Sequence, residues 1–279
     1  MKHRKILLIP IYIVLILVAI IYIFPFIYSF LGSLMSYQEI MSYPPKFLPS
    51  SPSFSTYRTI FELEFAHTKL FPRWILNSVV ISLSVTALNM FFASLAGYAF
   101  AKINFKGKNV VFLLFLSTLM IPGFTLLPTQ YLIMQKLGWI DTYFALIIPS
   151  MCTVFSIFLM RQFYQAIPND LMDAAKIDGC SPFGVYRRVA LPLSKPALSA
   201  LAIYTFMGSW NGFQAPLFFM HRIEMYTLPL GMSFFKTQQY VFYNQVLAGS
   251  IFTILPTLVV FLIFQKYFVK GIAFTGMKF

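Results

Sequence analysis

The sequence predicts an all-α integral membrane fold, on three observations: its composition, its uncharged runs and the placement of its basic residues. Of 279 residues, 59% are apolar and only 10% charged, a balance foreign to water-soluble domains of this size. Six apolar runs reach or exceed the roughly 20 residues that a helix needs to cross a hydrocarbon core of about 30 Å. They cover 6–35, 74–101, 110–135, 139–160, 197–220 and 246–265; the fourth carries Asp141 near its start and the other five hold no ionisable side chain. Stretches such as YIVLILVAIIYIF are apolar on every face, which suits a helix among lipid and other helices and not an alternating barrel strand. With the N-terminus inside, fourteen of the 21 Lys and Arg residues fall on the cytoplasmic side, as the positive-inside rule requires. The expected architecture is one transmembrane domain over 1–279, with six helices and both termini cytoplasmic.

Taken in order, the first run follows a basic start and could pass for a signal peptide. It is about twice the usual signal core of about 7–15 residues and no small-residue cleavage pair follows it, so a permanent span is expected. The external loop 36–73 contains SYPPKFLPSSPSFSTY, whose prolines and serines favour turns and extended chain. KINFKGKN, short and basic, joins spans two and three as a helical hairpin. Pro122 and Pro128 in LMIPGFTLLPTQYL each remove a backbone donor, which predicts a kink or break in span three. Trp74 and Trp139 fall at outer span ends, where an amphipathic ring is favoured. Cys152, Cys180 and the three histidines lack metal-ligand spacing, so no cofactor is expected. In a membrane protein the +13 net charge reads as topology, and no nucleic-acid partner is expected.

The cytoplasmic loop 161–196 contains PNDLMDAAKIDGCSPFGVYRRVALPLSKP, the most polar stretch between two long apolar runs. Pro168, Asn169 and Asp170 suit a helix start, and Gly179 suits the left-handed residue that ends it. Ser181 and Pro182 repeat the start signal and open a second short helix, which Pro192 is expected to end. Leu171, Ala174, Ala175 and Asp178 share a face at helical spacing and form a shallow small-residue surface edged by carboxylates. Headgroup contact is the plainer alternative, but Ala and Asp bind bilayers poorly, which favours a protein partner.

These residues resemble the signature of the inner-membrane permease subunits of bacterial ATP-binding-cassette importers. That signature is Glu-Ala-Ala, three residues, Gly, nine residues, then Ile-x-Leu-Pro. Asp173, Ala174, Ala175, Gly179, Val189, Leu191 and Pro192 match it in spacing, with Asp for Glu and Val for Ile. NSVVISLSVTALNMFFASLAGYAFAKINFKGKN, TFMGSWNGFQAPL and LAGSIFTILPTLVVFLIFQKYFVKGIAFTGMKF extend the resemblance to the maltose-type, carbohydrate-carrying branch. Phe274, Met277 and Phe279 depart from that branch's tail. The resemblance implies a hetero-oligomer of this chain with a second permease subunit and a cytoplasmic ATPase dimer, supplied by an extracytoplasmic sugar-binding protein. It implies an ATPase-coupling role for Asp173, Ala174, Ala175, Asp178, Gly179, Leu191 and Pro192, and bacterial inner-membrane localisation. The chain has no G-x-x-x-x-G-K-[ST] phosphate loop, so a separate subunit must hydrolyse the ATP and no enzymatic activity is expected here.

Span five gathers Trp210, Asn211 and Gln214 in GSWNGFQAP, too deep for headgroup anchoring. Amide and aromatic groups at that depth can hold a neutral sugar, with Trp210 and Gln214 on one face and Asn211 on the flank. Hydrogen bonding to a second permease accounts for them equally well. An ion-coupled secondary transporter is the alternative reading. Such proteins usually place ionisable groups in mid-membrane, and these span interiors hold none. A membrane-embedded enzyme would need a convergent His, Asp, Glu or Cys set, which is not visible.

Overall fold

The computed structural model describes residues 9–236 and 241–275, and helices dominate them. In chain order they are α1 (Ile9–Ser33), α2 (Tyr37–Ile40), α3 (Ser55–Glu62), α4 (Leu70–Lys102), α5 (Lys108–Ser117) and α6 (Gly123–Lys136). Then come α7 (Phe144–Ser150), α8 (Val154–Ala166), α9 (Asn169–Ile177), α10 (Pro182–Val185), α11 (Leu191–Leu193), α12 (Lys195–Trp210), α13 (Gln214–Phe219), α14 (Leu228–Gly231) and α15 (Tyr243–Thr275). An antiparallel hairpin of β1 (Glu64–Phe65) and β2 (Thr68–Lys69) precedes α4. Among the described residues, four helices or helix runs are long and apolar enough to cross a membrane: Pro10–Ser33, Leu70–Lys102, Phe144–Ala166 and Tyr243–Gln265. Two bent pairs raise the number to as many as six: Lys108–Met120 with Gly123–Lys136, at 101°, and Pro182–Leu193 with Lys195–Trp210, at 75°.

The predicted break in span three therefore falls at Ile121 and Pro122. Pro122 is the N-cap of α6, where its missing N–H costs nothing, while Pro128 stays inside the helix. Pro25 and Pro256 likewise lie inside α1 and α15. Three expected boundaries need correction. The fourth run begins its helix at Phe144, not at residue 139, because Gly138 and Asp141 adopt positive φ and turn the chain beforehand. Span five stops at Trp210, where Asn211 caps it through Nδ2 donating to the Met207 carbonyl at 3.0 Å. Pro192 does not end the second loop helix: a π turn at Tyr186–Ala190 precedes it and takes up the register its missing donor would break. The chain bends at Ser194 instead.

The chain forms two compact units, one of residues 1–72 and 231–254, the other of 73–230 and 255–279. In the first, Phe61, Phe71 and Phe252 stack edge to face with centroids 5.2 to 5.4 Å apart, and Ser33 Oγ bonds the Tyr57 hydroxyl at 2.6 Å. The apolar side chains of α1 from Ile11 to Ile27 are exposed.

The second unit carries two buried clusters. One, around Met160, Tyr164, Tyr186 and Leu201, joins the C-terminal half of α4 to α8 and to the 167–194 loop. The other, around Ile81, Met134, Leu146 and Phe219, gathers the N-terminal half of α4 with α6, α7 and α13. Gly97 is what lets α4 approach α8: a Cβ there would stand 2.6 Å from Met160 Cβ and 2.8 Å from the Arg161 backbone nitrogen.

Candidate functional site

Two features of the second unit can do chemistry or mechanics: the helix–turn–helix of 167–194 and a cavity among α4, α7, α8 and α12. The loop starts at α9, whose first turn carries Asp170 and whose last carries Lys176, charges that complement the helix dipole. It ends in a Schellman motif. Gly179, at φ +81°, donates to the Lys176 carbonyl at 3.0 Å, and Cys180 donates to the Ala175 carbonyl at 3.0 Å. Ser181 then caps α10 by accepting from the Gly184 amide at 3.1 Å, with Pro182 in the first turn.

The structure divides the predicted coupling face. Ala174 and Asp178 are exposed, beside Leu171 and an 87%-exposed Ile177. Ala175 turns inward and packs with Met172 on the buried cluster, so it does not belong to the outer surface that the sequence assigned to it. Adjacent residues point about 100° apart around a helix, and the core takes the 172/175 side. Asp173 is exposed and pairs with Lys176 at 2.7 Å. That hydrogen bond holds the ammonium pKa above its ordinary value. Pro192 is exposed and Leu191 half-buried.

The loop is pinned from inside. Lys102, at the end of α4, donates from Nζ to the Ile167 carbonyl and to Asn169 Oδ1, both at 2.6 Å. Arg161 lies over the Phe112 ring at 4.0 Å. Deeper, four buried hydroxyls meet: Ser94 Oγ lies 2.7 Å from Tyr164 OH and 3.0 Å from Tyr186 OH, and Tyr164 OH lies 3.2 Å from Ser194 Oγ. Sequence reasoning missed this group, since its bonded members are as much as 92 positions apart.

The cavity holds about 450 Å³ and has no charged side chain in its wall. Asn89, Gln130, Ser150, Thr205, Ser209 and Thr227 supply polar atoms, and Ile81, Val85 and Phe155 are among the apolar lining. Asn89, fully buried, donates from Nδ2 to the Ser150 carbonyl at 3.1 Å, while its Oδ1 and the Thr227 hydroxyl have no hydrogen-bond partner. The expected path residues lie beside this wall, not in it. Trp210 is buried and stacks on Phe206 at 5.7 Å. Asn211 and Gln214 are exposed, and the break after Trp210 removes the shared helical face. Ser209, Gly212 and Ala215 line the cavity instead.

Membrane-length helices, a helix–turn–helix pinned beneath one cluster and an uncharged cavity among the helices define a membrane transport component. The chain belongs to the family described as binding-protein-dependent transport system inner membrane component, which it matches over residues 89–273. It is 35% identical over 268 residues to the arabinooligosaccharides transport system permease protein AraQ of Bacillus subtilis (strain 168), covering 94% of this chain and 92% of that one. It is 32% identical over 268 residues to the trehalose/maltose transport system permease protein MalG of Thermococcus litoralis, covering 94% of each. Its fold also matches a chain of the crystal structure of a bacterial ABC transporter involved in import of the acidic polysaccharide alginate. The TM-score is 0.81 at 24% identity, covering 96% of this chain and 98% of that chain.

Proposed function

We propose that this chain is a permease subunit of an ATP-binding-cassette importer and forms, with a second permease subunit, an alternating-access path for a neutral sugar or oligosaccharide. The observation that carries the proposal is the pinned 167–194 loop: a capped helix with exposed Leu171, Ala174, Ile177 and Asp178 stands on a buried base, on a chain of the family named above. A cytoplasmic ATPase dimer docks on that surface. Ala174, Asp178 and Leu171 make the contact, while Gly179, Ala175, Leu191 and Pro192 hold its shape. Asp173 exchanges its Lys176 pairing for a basic residue of the ATPase. An extracytoplasmic sugar-binding protein delivers the substrate. The loop faces the cytoplasm with both termini, and the six-span reading counts each bent pair as one crossing.

The path runs along the uncharged cavity. Its amide and hydroxyl groups suit a ligand that offers many hydroxyl donors and no net charge. Trp210, Asn211 and Gln214 flank that path, Trp210 buried and the two amides exposed. An ion-coupled transporter would need a charged or carbonyl-rich site here, and the cavity wall has no carboxylate, imidazole, ammonium or guanidinium group.

Purification of the full complex tests the class: an ATPase and a second permease should accompany this chain, whereas an active lone chain would sink the proposal. Cysteine labelling tests the path. In the assembled complex Ser209→Cys should react with a polar thiol reagent at a rate that changes when nucleotide is trapped, and Trp210→Cys should stay unreactive. The opposite pattern, with Trp210→Cys labelled and Ser209→Cys silent, would return the path to the tryptophan face.

A further inference from the structure

The four buried hydroxyls have a determinable polarity. Ser194 Oγ donates to the Leu191 carbonyl at 2.9 Å, and a carbonyl can only accept. Each hydroxyl has a single proton, so Tyr164 must donate to Ser194, Ser94 to Tyr164, and Tyr186 to Ser94, at 3.2, 2.7 and 3.0 Å. Every hydroxyl in the relay then donates once, and none of the four is left unmatched. The relay starts in the π turn of the loop, crosses α4 and α8, and returns to the loop at Leu191, one residue before Pro192. Its residues are shut away from water: Ser94, Tyr164, Tyr186 and Ser194 are 1%, 0%, 6% and 0% exposed. Tyr98 packs edge-on against Tyr164 and tilted against Tyr186, with centroids 5.6 and 5.2 Å away.

We propose that this closed hydroxyl relay is the positioning element that makes the coupling loop, α4 and α8 one mechanical body and passes its motion to α12 through Ser194. The proposal rests on the coupling role assigned to the loop above. Its physical ground is the 75° bend at Ser194. A straight helix would carry a push from the loop into α12 by its own stiffness, and a bend of that size cannot. The force must then cross by side chains: Ala197 and Leu201 pack α12 on the same buried cluster, and the Tyr164–Ser194 bond is the polar tie at the bend itself. A one-directional relay polarises its own members, so loss of one hydroxyl weakens the whole. The π turn at its start is a register that can relax to α, which gives the loop an alternative state when the relay opens.

The test uses the complete complex, with Cys152 and Cys180 changed to Ser and spin labels at Leu83→Cys on α4 and Arg187→Cys on the loop; both native side chains are exposed. Pulsed electron resonance reads their separation without nucleotide and with ATP and vanadate. One mechanical body predicts a narrow distribution that shifts by less than about 3 Å, two residues' rise, between the two states. Tyr164→Phe, which removes two of the bonds while keeping the ring, should broaden the trapped-state distribution and shift it beyond that limit. Tyr186→Phe should do so less, and Ser94→Thr, which keeps the hydroxyl, should behave as wild type. A purely structural role would change both nucleotide states equally, and that result overturns the proposal. So would a large shift in the unsubstituted pair, or an unchanged distribution in Tyr164→Phe. Failure of the unsubstituted chain to retain an ATPase overturns the coupling role and this inference together, and the same preparation reports it.

Discussion

Helix α4 holds a segment at each end, and it holds them by different chemistry. Near its start, Trp74 Nε1 donates to the Ile223 carbonyl at 2.7 Å, and Asn77 Nδ2 donates to the Glu224 and Tyr226 carbonyls at 2.9 and 2.8 Å. The Leu228 amide donates to Ser78 Oγ at 2.7 Å. All four bonds grip backbone, so they hold the 223–228 segment whatever its side chains. Near its other end, Ser94 grips two tyrosine hydroxyls, and Lys102 divides its bonds between a carbonyl and a side chain. Backbone grips make a brace, since the polar groups they satisfy cannot turn away. Hydroxyl grips can break and re-form by rotation about one bond. The first end of α4 is built as a fixed support, and the other as a joint that the closed hydroxyl relay locks.

The brace should be the costlier end to damage. Asn77 is fully buried and also accepts from Tyr143 OH at 2.7 Å, so Asn77→Ala leaves three polar groups unmatched. Loss of about 3 kcal/mol or more is expected, read as a lower unfolding midpoint in detergent, with no change specific to nucleotide. A small loss would remove the distinction between brace and joint. At the joint, Gly179→Val should cost about 1–2 kcal/mol of backbone strain, and it should cut ATP-driven transport while insertion stays intact. No atom lies within 4 Å of a Cβ built there, so the cost is conformational. Gly179→Asn, which tolerates the left-handed region, should recover most of the activity, and equal damage from both would point to contact and not conformation. Lys102→Met should cost about 1–2 kcal/mol, seen as faster hydrogen exchange in the first turn of α9 and nowhere in 223–228.

The smallest effect concerns pH at the brace. Glu224 has its carboxyl pKa held below the ordinary value by a hydrogen bond from its own backbone amide and by Arg222, whose Nη2 lies 2.7 Å away. A depressed carboxylate pKa stabilises above the ordinary value of 4.5, and that contribution fades as pH falls through the folded value. The midpoint difference between wild type and Glu224→Gln should therefore be present at pH 7 and shrink below pH 4.5. A difference that grows in acid would exclude the pairing. Arg222 is largely exposed, so the difference at neutral pH should itself be small.

Much of the fold is legible in the sequence, because charge-free runs of span length permit few arrangements of backbone. The ends of the helices are less so. Pro25, Pro128 and Pro256 lie inside helices, while Asn211, a weaker breaker than proline, ends one. Proline breaks a helix only where packing leaves no other place for the freed carbonyl, and packing is not written locally. Gly179 is legible because its role needs only its own backbone. Ala175 is not: small residues at positions 174 and 175 look alike until a core chooses one side. The cavity wall escapes for the same reason, with Ser209 and Gly212 in it and Trp210 buried outside it.

The 101° break between Met120 and Gly123 bears on how the chain is made. Lys108–Met120 has thirteen residues and Gly123–Lys136 fourteen, so each half is about 20 Å long, short of a hydrocarbon core of about 30 Å. Neither half can be recognised as a crossing on its own while the remainder of the chain is still on the ribosome. Residues 110–135 nonetheless form one continuous uncharged run, and the insertion machinery meets that run before any later helix has arrived. A crossing made of this pair is legible only as the whole run, and the backbone groups that the break sets free must be met by other helices.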